Sequence, residues 1–191
     1  MKKTLLFALA LIASGCADAR QSALCEGLPE GSPLEAVRTC AEQGYAYAQN
    51  NLGVMYQGGT GVQEDAAEAA RWYRLAAGQG QAVAQFNLGV MYANGEGVPE
   101  DDVEAVRLYR LAAEQGYAYA QYNLGFMYAI GEGVPEDYVL AYVWCNLAAA
   151  RGGDLAQKLK DTIAQQMTRE QIAEAQRLSR EWIEAHPPGS N

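Results

Sequence analysis

Residues 45–80, 81–116 and 117–152 of this chain are three copies of one 36-residue unit, aligned without a gap and identical in all three at 18 columns. A repeat of that length is the signature of a supersecondary unit that stacks on copies of itself, because one unit alone cannot bury its apolar face. The copies open YAYAQNNLGVMY, QAVAQFNLGVMY and YAYAQYNLGFMY and close RLAAGQG, RLAAEQG and NLAAARG. In the opening, Ala46, Ala48, Leu52, Met55 and Tyr56 return as Ala82, Ala84, Leu88, Met91 and Tyr92, then as Ala118, Ala120, Leu124, Met127 and Tyr128. Steps of three and four put most of them on one face of a helix. Gly53, Gly89 and Gly125 fall inside that helix, where Gly costs about 1 kcal/mol relative to Ala. Their recurrence predicts a second helix close against each one.

A G-x-G-V loop follows in every copy (Gly59, Gly95 and Gly131 lead it), and its glycines predict a sharp turn with positive φ. Its likeness to a phosphate loop is superficial: it follows a helix rather than a strand and lacks the Lys or third Gly of such sites. The second helix opens at Asp65, Asp101 or Asp137, with Glu68 and Glu104 completing capping boxes in the first two copies and Leu140 replacing the Glu in the third. It closes at Gly80, Gly116 or Gly152, where a left-handed C-cap is expected. The acidic residues of the repeats thereby read as helix-start chemistry. Residues 20–44 read as an N-terminal cap containing a half-repeat, its helix opened by a Ser32/Glu35 box with Pro33 in the first helical position. Residues 153–186 read as two C-terminal capping helices, over 156–166 and 168–185, the second opened by Thr168 and Gln171. Leu155, Leu159, Ile163, Ile172, Leu178 and Trp182 are expected to cover the apolar run YVLAYVW of the third copy. Residues 187–191 are expected to form a disordered tail.

The N-terminus reads as a signal peptide over residues 1–19. Lys2 and Lys3 precede an apolar stretch at 5–13 and small residues at 13–15. Two endings stay open. Ser14-Gly15-Cys16 is similar to a bacterial lipobox, which would lipidate Cys16 and make it the mature N-terminus. Ala17-Asp18-Ala19 fits ordinary cleavage before Arg20. Either ending predicts export, to the periplasm or to the outer membrane through a lipid at Cys16. The chain has a net charge of −9, and −10 without residues 1–19. So acidic a protein is repelled by a phosphate backbone, which argues against nucleic acid as partner. No later stretch is apolar enough for a membrane span, so a membrane role would rest on the Cys16 anchor. Export permits disulfides. Cys25 and Cys40 either staple the N-terminal segment to its helix or leave Cys40 as a small buried apolar residue, like Ala76 and Ala112 in its register. Cys145, standing where earlier copies have Tyr73 and Tyr109, reads as an inert core thiol.

The pattern A-x-A-Q-x-N-L-G-x-M-Y, then G-x-G-V, then a close in L-A-A resembles the Sel-1-like repeat, a relative of the tetratricopeptide repeat. That resemblance implies an all-α, right-handed solenoid of helix pairs with a concave face that docks a protein or peptide. Within the first helices the third and sixth positions differ most between copies: Tyr47 and Asn50, Val83 and Phe86, Tyr119 and Tyr122. With the tenth and thirteenth they form one helical stripe. The stripe reads either as a binding groove with aromatic anchors or as packing between neighbouring repeats. The amide pairs Gln49/Asn51, Gln85/Asn87 and Gln121/Asn123 read either as donors to a client backbone or as internal ties.

The only His is His186, at the C-terminal end beside two prolines, a position that argues against a zinc cluster, a Cys–His pair or a Ser–His triad, and no nucleotide fingerprint occurs. No catalytic residue, metal or cofactor is expected. The reading that follows is a monomeric, non-catalytic module of the bacterial envelope that binds another protein or peptide. A periplasmic immunity protein neutralising a secreted toxin is the main alternative, and a weak β-lactamase-like hydrolase the remote one.

Overall fold

The computed structural model describes Cys25 and residues 31–187. The signal peptide at 1–19, Cys16, Arg20 and the tail beyond Pro187 lie outside the described residues. Nine α-helices make up the regular structure among those residues: α1 Leu34–Glu42, α2 Ala46–Gly58, α3 Ala66–Gly78, α4 Ala82–Asn94, α5 Asp102–Glu114, α6 Ala118–Ile130, α7 Tyr138–Ala149, α8 Asp154–Ala164 and α9 Arg169–Ala185. Each 36-residue unit is thus one helix pair: α2–α3, α4–α5 and α6–α7. The class is an all-α solenoid of consecutive helix pairs. By contact density the chain divides into two compact units, one reaching Ala76 and one starting at Ala77.

In the first unit Cys25, Val37, Cys40, Ala41, Ala48, Leu52 and Trp72 form the core. Cys25 and Cys40 are joined by a disulfide, their Cα atoms 5.4 Å apart. Helix α1 opens one residue later than the sequence suggests. Pro33 stands in the N-cap position without a side-chain cap bond, and its carbonyl accepts from the N–H groups of Ala36 and Val37. A proline side chain has no acceptor to offer the free N–H groups of the first turn, so at this end only its carbonyl accepts from them.

The second unit is built around Ala105, Val106, Tyr109, Leu124, Met127, Tyr142, Val143, Cys145 and Leu147. Helices α8 and α9 cover α7 as expected: Ile163 and Ala175 are buried in this core, Leu159, Ile172, Leu178 and Trp182 pack on it, and Trp144 meets Trp182 edge-on at 6.3 Å between centroids. Leu155 departs from expectation, remaining 64% exposed. Helix α8 begins at Asp154 with Gly153 as N-cap, two residues before the expected start, which leaves Leu155 outside that core.

The interior glycines admit a close helix approach in every copy. A Cβ on Gly53 would lie 2.7 Å from the Tyr73 ring, on Gly89 2.8 Å from that of Tyr109, and on Gly125 2.6 Å from Cys145 Sγ. The third copy sets a smaller residue at this point, and there the carbonyl of Ala141 also comes within 3.0 Å. Burial pushes the Cys145 thiol up to about 12, which keeps it protonated and unreactive.

The second helices are capped by half of the expected box. Asp65 and Asp101 side chains accept from the N–H groups of Glu68 and Glu104 at 2.9 and 3.0 Å, as Asp137 does from Leu140. The glutamates, however, turn outward to Arg71 and Arg107, each pair at 2.6 Å. A guanidinium one turn along offers a charge-assisted, two-pronged partner that a lone backbone N–H does not match. The reciprocal box is complete at Thr168 and Gln171.

Candidate functional site

In the second unit α4 and α6 are the first helices of successive repeats, and their facing side chains meet over α5. Phe86 on α4 stands at the centre. Its ring lies 5.3 Å from that of Tyr117, 6.1 Å from Tyr119 and 5.9 Å from Tyr109, and Tyr117 and Tyr119 are 5.7 Å apart. These separations suit tilted and edge-on ring pairs. Tyr109 is core, but Tyr119 is 68% exposed, and Phe86 and Tyr117 are half-buried. The cluster therefore ends in a shelf of aromatic surface rather than in a closed core.

Of the six residues proposed for a groove, Val83 and Tyr122 are half-buried and Tyr47 is 39% exposed. Asn50 is a correction: it is only 5% exposed. The sixth position of the first repeat faces inward, so an amide there serves the fold and offers nothing to a client. Tyr47 and Asn50 belong to the first unit and Val83, Phe86, Tyr119 and Tyr122 to the second; Phe86 and Tyr119 touch each other directly. Tyr117 was missed by the periodicity argument because it is the N-cap residue of α6, in extended conformation and off the helical stripe. Burial, and secondarily the nearby Tyr119, raises its phenol above the usual range.

From Tyr119 the stripe continues one turn to Tyr122 and a second to Phe126. There a cavity of about 330 Å³ opens, lined by Ala93 and Asn94 from α4, Asp102 and Tyr109 from α5, Tyr122, Asn123, Phe126 and Met127 from α6, and Glu132 from the loop beyond. At Gly133 this loop passes so close to the Asp102 carbonyl that a Cβ would overlap it. Among the described residues no group of three or more His, Cys, Asp or Glu is placed to hold a metal ion, and no helix is long and apolar enough to cross a membrane.

The first column of amides is an internal tie, not a client contact. Gln49, Gln85 and Gln121 donate through Nε2 to the carbonyls of Ala41, Ala77 and Ala113, at 3.1, 3.4 and 3.1 Å. Each bond fastens the start of one repeat to the end of the helix before it. In the second repeat Gln115 Nε2 completes the joint by donating to Gln85 Oε1 at 2.8 Å. The third repeat has Arg151 in the register of Gln115. Its guanidinium bonds the Gly116 carbonyl, and Gln121 Oε1, fully buried, has no hydrogen-bond partner among the described residues.

The Sel1 repeat family model matches residues 46–81, 82–117 and 118–153, one residue later in phase than the alignment of the copies. A solved structure of a protective antigen of uropathogenic Escherichia coli strains, displaying an SLR fold, superposes with a TM-score of 0.75 at 36% identity, covering 86% of this chain and 37% of that one. A Sel1 repeat protein from Oxalobacter formigenes superposes with a TM-score of 0.63 at 40% identity, over 68% of this chain and 97% of its own. No curated protein matches the sequence. Sel1 repeat proteins are in general non-catalytic scaffolds for protein interaction. Three consecutive family matches over the helix pairs described above place this chain in the Sel1 repeat family.

Proposed function

We propose that this protein is an exported interaction module of the bacterial cell envelope, acting as a monomer, whose α4–α6 face docks a partner protein or peptide. The observation that carries the reading is the shelf formed by Phe86, Tyr117 and Tyr119. A tyrosine that is 68% exposed beside two half-buried rings offers the rigid amphipathic area that interface anchors use. Export rests on the N-terminal sequence, with Lys2, Lys3 and the small residues before Cys16 or Arg20.

The test is site-specific photo-crosslinking in envelope fractions of the native host, with the probe at position 119 and, as control, at Arg180 on α9. A discrete adduct from position 119 alone is expected. Phe86→Ala with Tyr122→Ala should abolish it while circular dichroism stays unchanged. An adduct that survives both substitutions moves the docking face elsewhere. Palmitate labelling that disappears in Cys16→Ser supports a lipid anchor; a soluble periplasmic product with Arg20 at its N-terminus supports the other ending.

A further inference from the structure

The cavity at the end of the aromatic stripe has a composition that selects one kind of guest. Its walls combine two aromatic rings, the half-buried Tyr122 and the exposed Phe126, with two carboxylates, Asp102 and Glu132, and two amides, Asn94 and Asn123. No Lys or Arg lines it. Among the described residues the ion pairs use the carboxylates of Glu35, Glu68, Glu104, Glu174 and Glu181, and none involves Asp102 or Glu132. Asn94 Nδ2 is held by Glu96 at 3.3 Å. A pocket of about 330 Å³ exceeds what a methyl or a water needs and suits a long side chain with its flanking backbone. An anionic guest would meet like charge. A purely apolar one would leave both carboxylates facing it without compensation. A guanidinium or ammonium on an aliphatic stem meets every wall: the stem lies on Phe126 and Tyr122, the cation faces a ring, and the charge is balanced by carboxylates.

We propose that this cavity receives an arginine or lysine side chain of the partner, next to the aromatic shelf that holds the partner's apolar residues. This inference rests on the proposed docking face and names the chemistry of its partner: a segment with an apolar residue followed by a basic one. The net charge of −9 favours such a partner at long range.

The experiment uses the full mature chain and two small probes, acetyl-arginine methylamide and its neutral isostere acetyl-citrulline methylamide, followed by amide chemical shifts. The arginine probe should move the amides of Tyr122, Asn123 and Phe126 along a saturating curve, with affinity about fivefold above that of citrulline, the effect expected of partly exposed charge pairs. Asp102→Asn with Glu132→Gln should bring arginine down to the citrulline level and leave citrulline unchanged. Equal binding of the two probes, shifts confined to other helices, or no shift at the highest soluble concentration overturns the proposal. The same double substitution in the crosslinking strain separates the two readings. An adduct at position 119 that persists at full yield refutes the basic-residue pocket alone, whereas no adduct from the unsubstituted chain refutes the docking face.

Discussion

Gly89 and Arg151 show how single residues set the quality of a repeat. Gly89→Ala would gain helix propensity of about 1 kcal/mol, yet the added carbon would stand 2.8 and 2.9 Å from the buried Tyr109 ring. Overpacking of that kind costs about 1–3 kcal/mol. Urea denaturation should therefore show a net loss of stability, while Gly78→Ala, with nothing within 4 Å of its new carbon, should show a gain. A stabilised Gly89→Ala would mean that the helices yield to each other freely. Arg151→Gln is expected to act in the opposite direction. It restores the register of Gln115 and offers an amide to Gln121 Oε1, whose buried, unmet acceptor costs about 1–3 kcal/mol. Thermal unfolding should move upward, and an unchanged or lower midpoint would show that the Arg151–Gly116 bond matters more. The glycine's role was legible in the sequence because a costly residue recurred in register. The orphaned oxygen was not, because periodicity shows which column varies but not where the side chain's second atom points. The same blindness placed Asn50 on a surface when it is buried.

Among elements, the boundaries that follow from backbone chemistry were read closely. The left-handed glycines after α2, α4 and α6, with φ of 64°, 67° and 73°, and the aspartate caps of α5 and α7 follow from what a chain must do to stop or start a helix. Where a backbone N–H and a guanidinium compete for one carboxylate, as at Glu68 and Glu104, sequence offers no arbiter and the ion pair won. The N-terminal element depends on something else. Helix α1 has 9 residues and no side-chain cap, too short to be stable alone, and it is tied by the Cys25–Cys40 bond across 15 residues. Closing a loop of that size contributes about 3 kcal/mol. Reduction, or Cys40→Ser, should lower the unfolding free energy by that order and release amide-exchange protection first over α1. Protection lost uniformly would show that the bond holds the whole chain rather than this element.

For the whole molecule, the repeat count and the class of fold could be read from the sequence alone, since a period of 36 with half its columns fixed leaves few architectures. The proposed docking face was only half legible. Phe86, Tyr119 and Tyr122 lie on the predicted stripe, but Tyr117 precedes the helix, and the cavity draws Asp102 and Glu132 from a second helix and a loop that no linear pattern associates. The Gln85–Ala77 and Gln121–Ala113 bonds have a consequence for how such a chain changes in length. Each copy carries the donor for the joint behind it and the acceptor carbonyl for the joint ahead, so a spliced-in duplicate of residues 81–116 should seat itself, with helical ellipticity rising in proportion and solubility kept. The place of splicing matters, because the last pair is finished for burial under α8 and α9. Growth by gene duplication is thereby open upstream of α6 and closed after α7, much as a zip can be extended anywhere but at its stop.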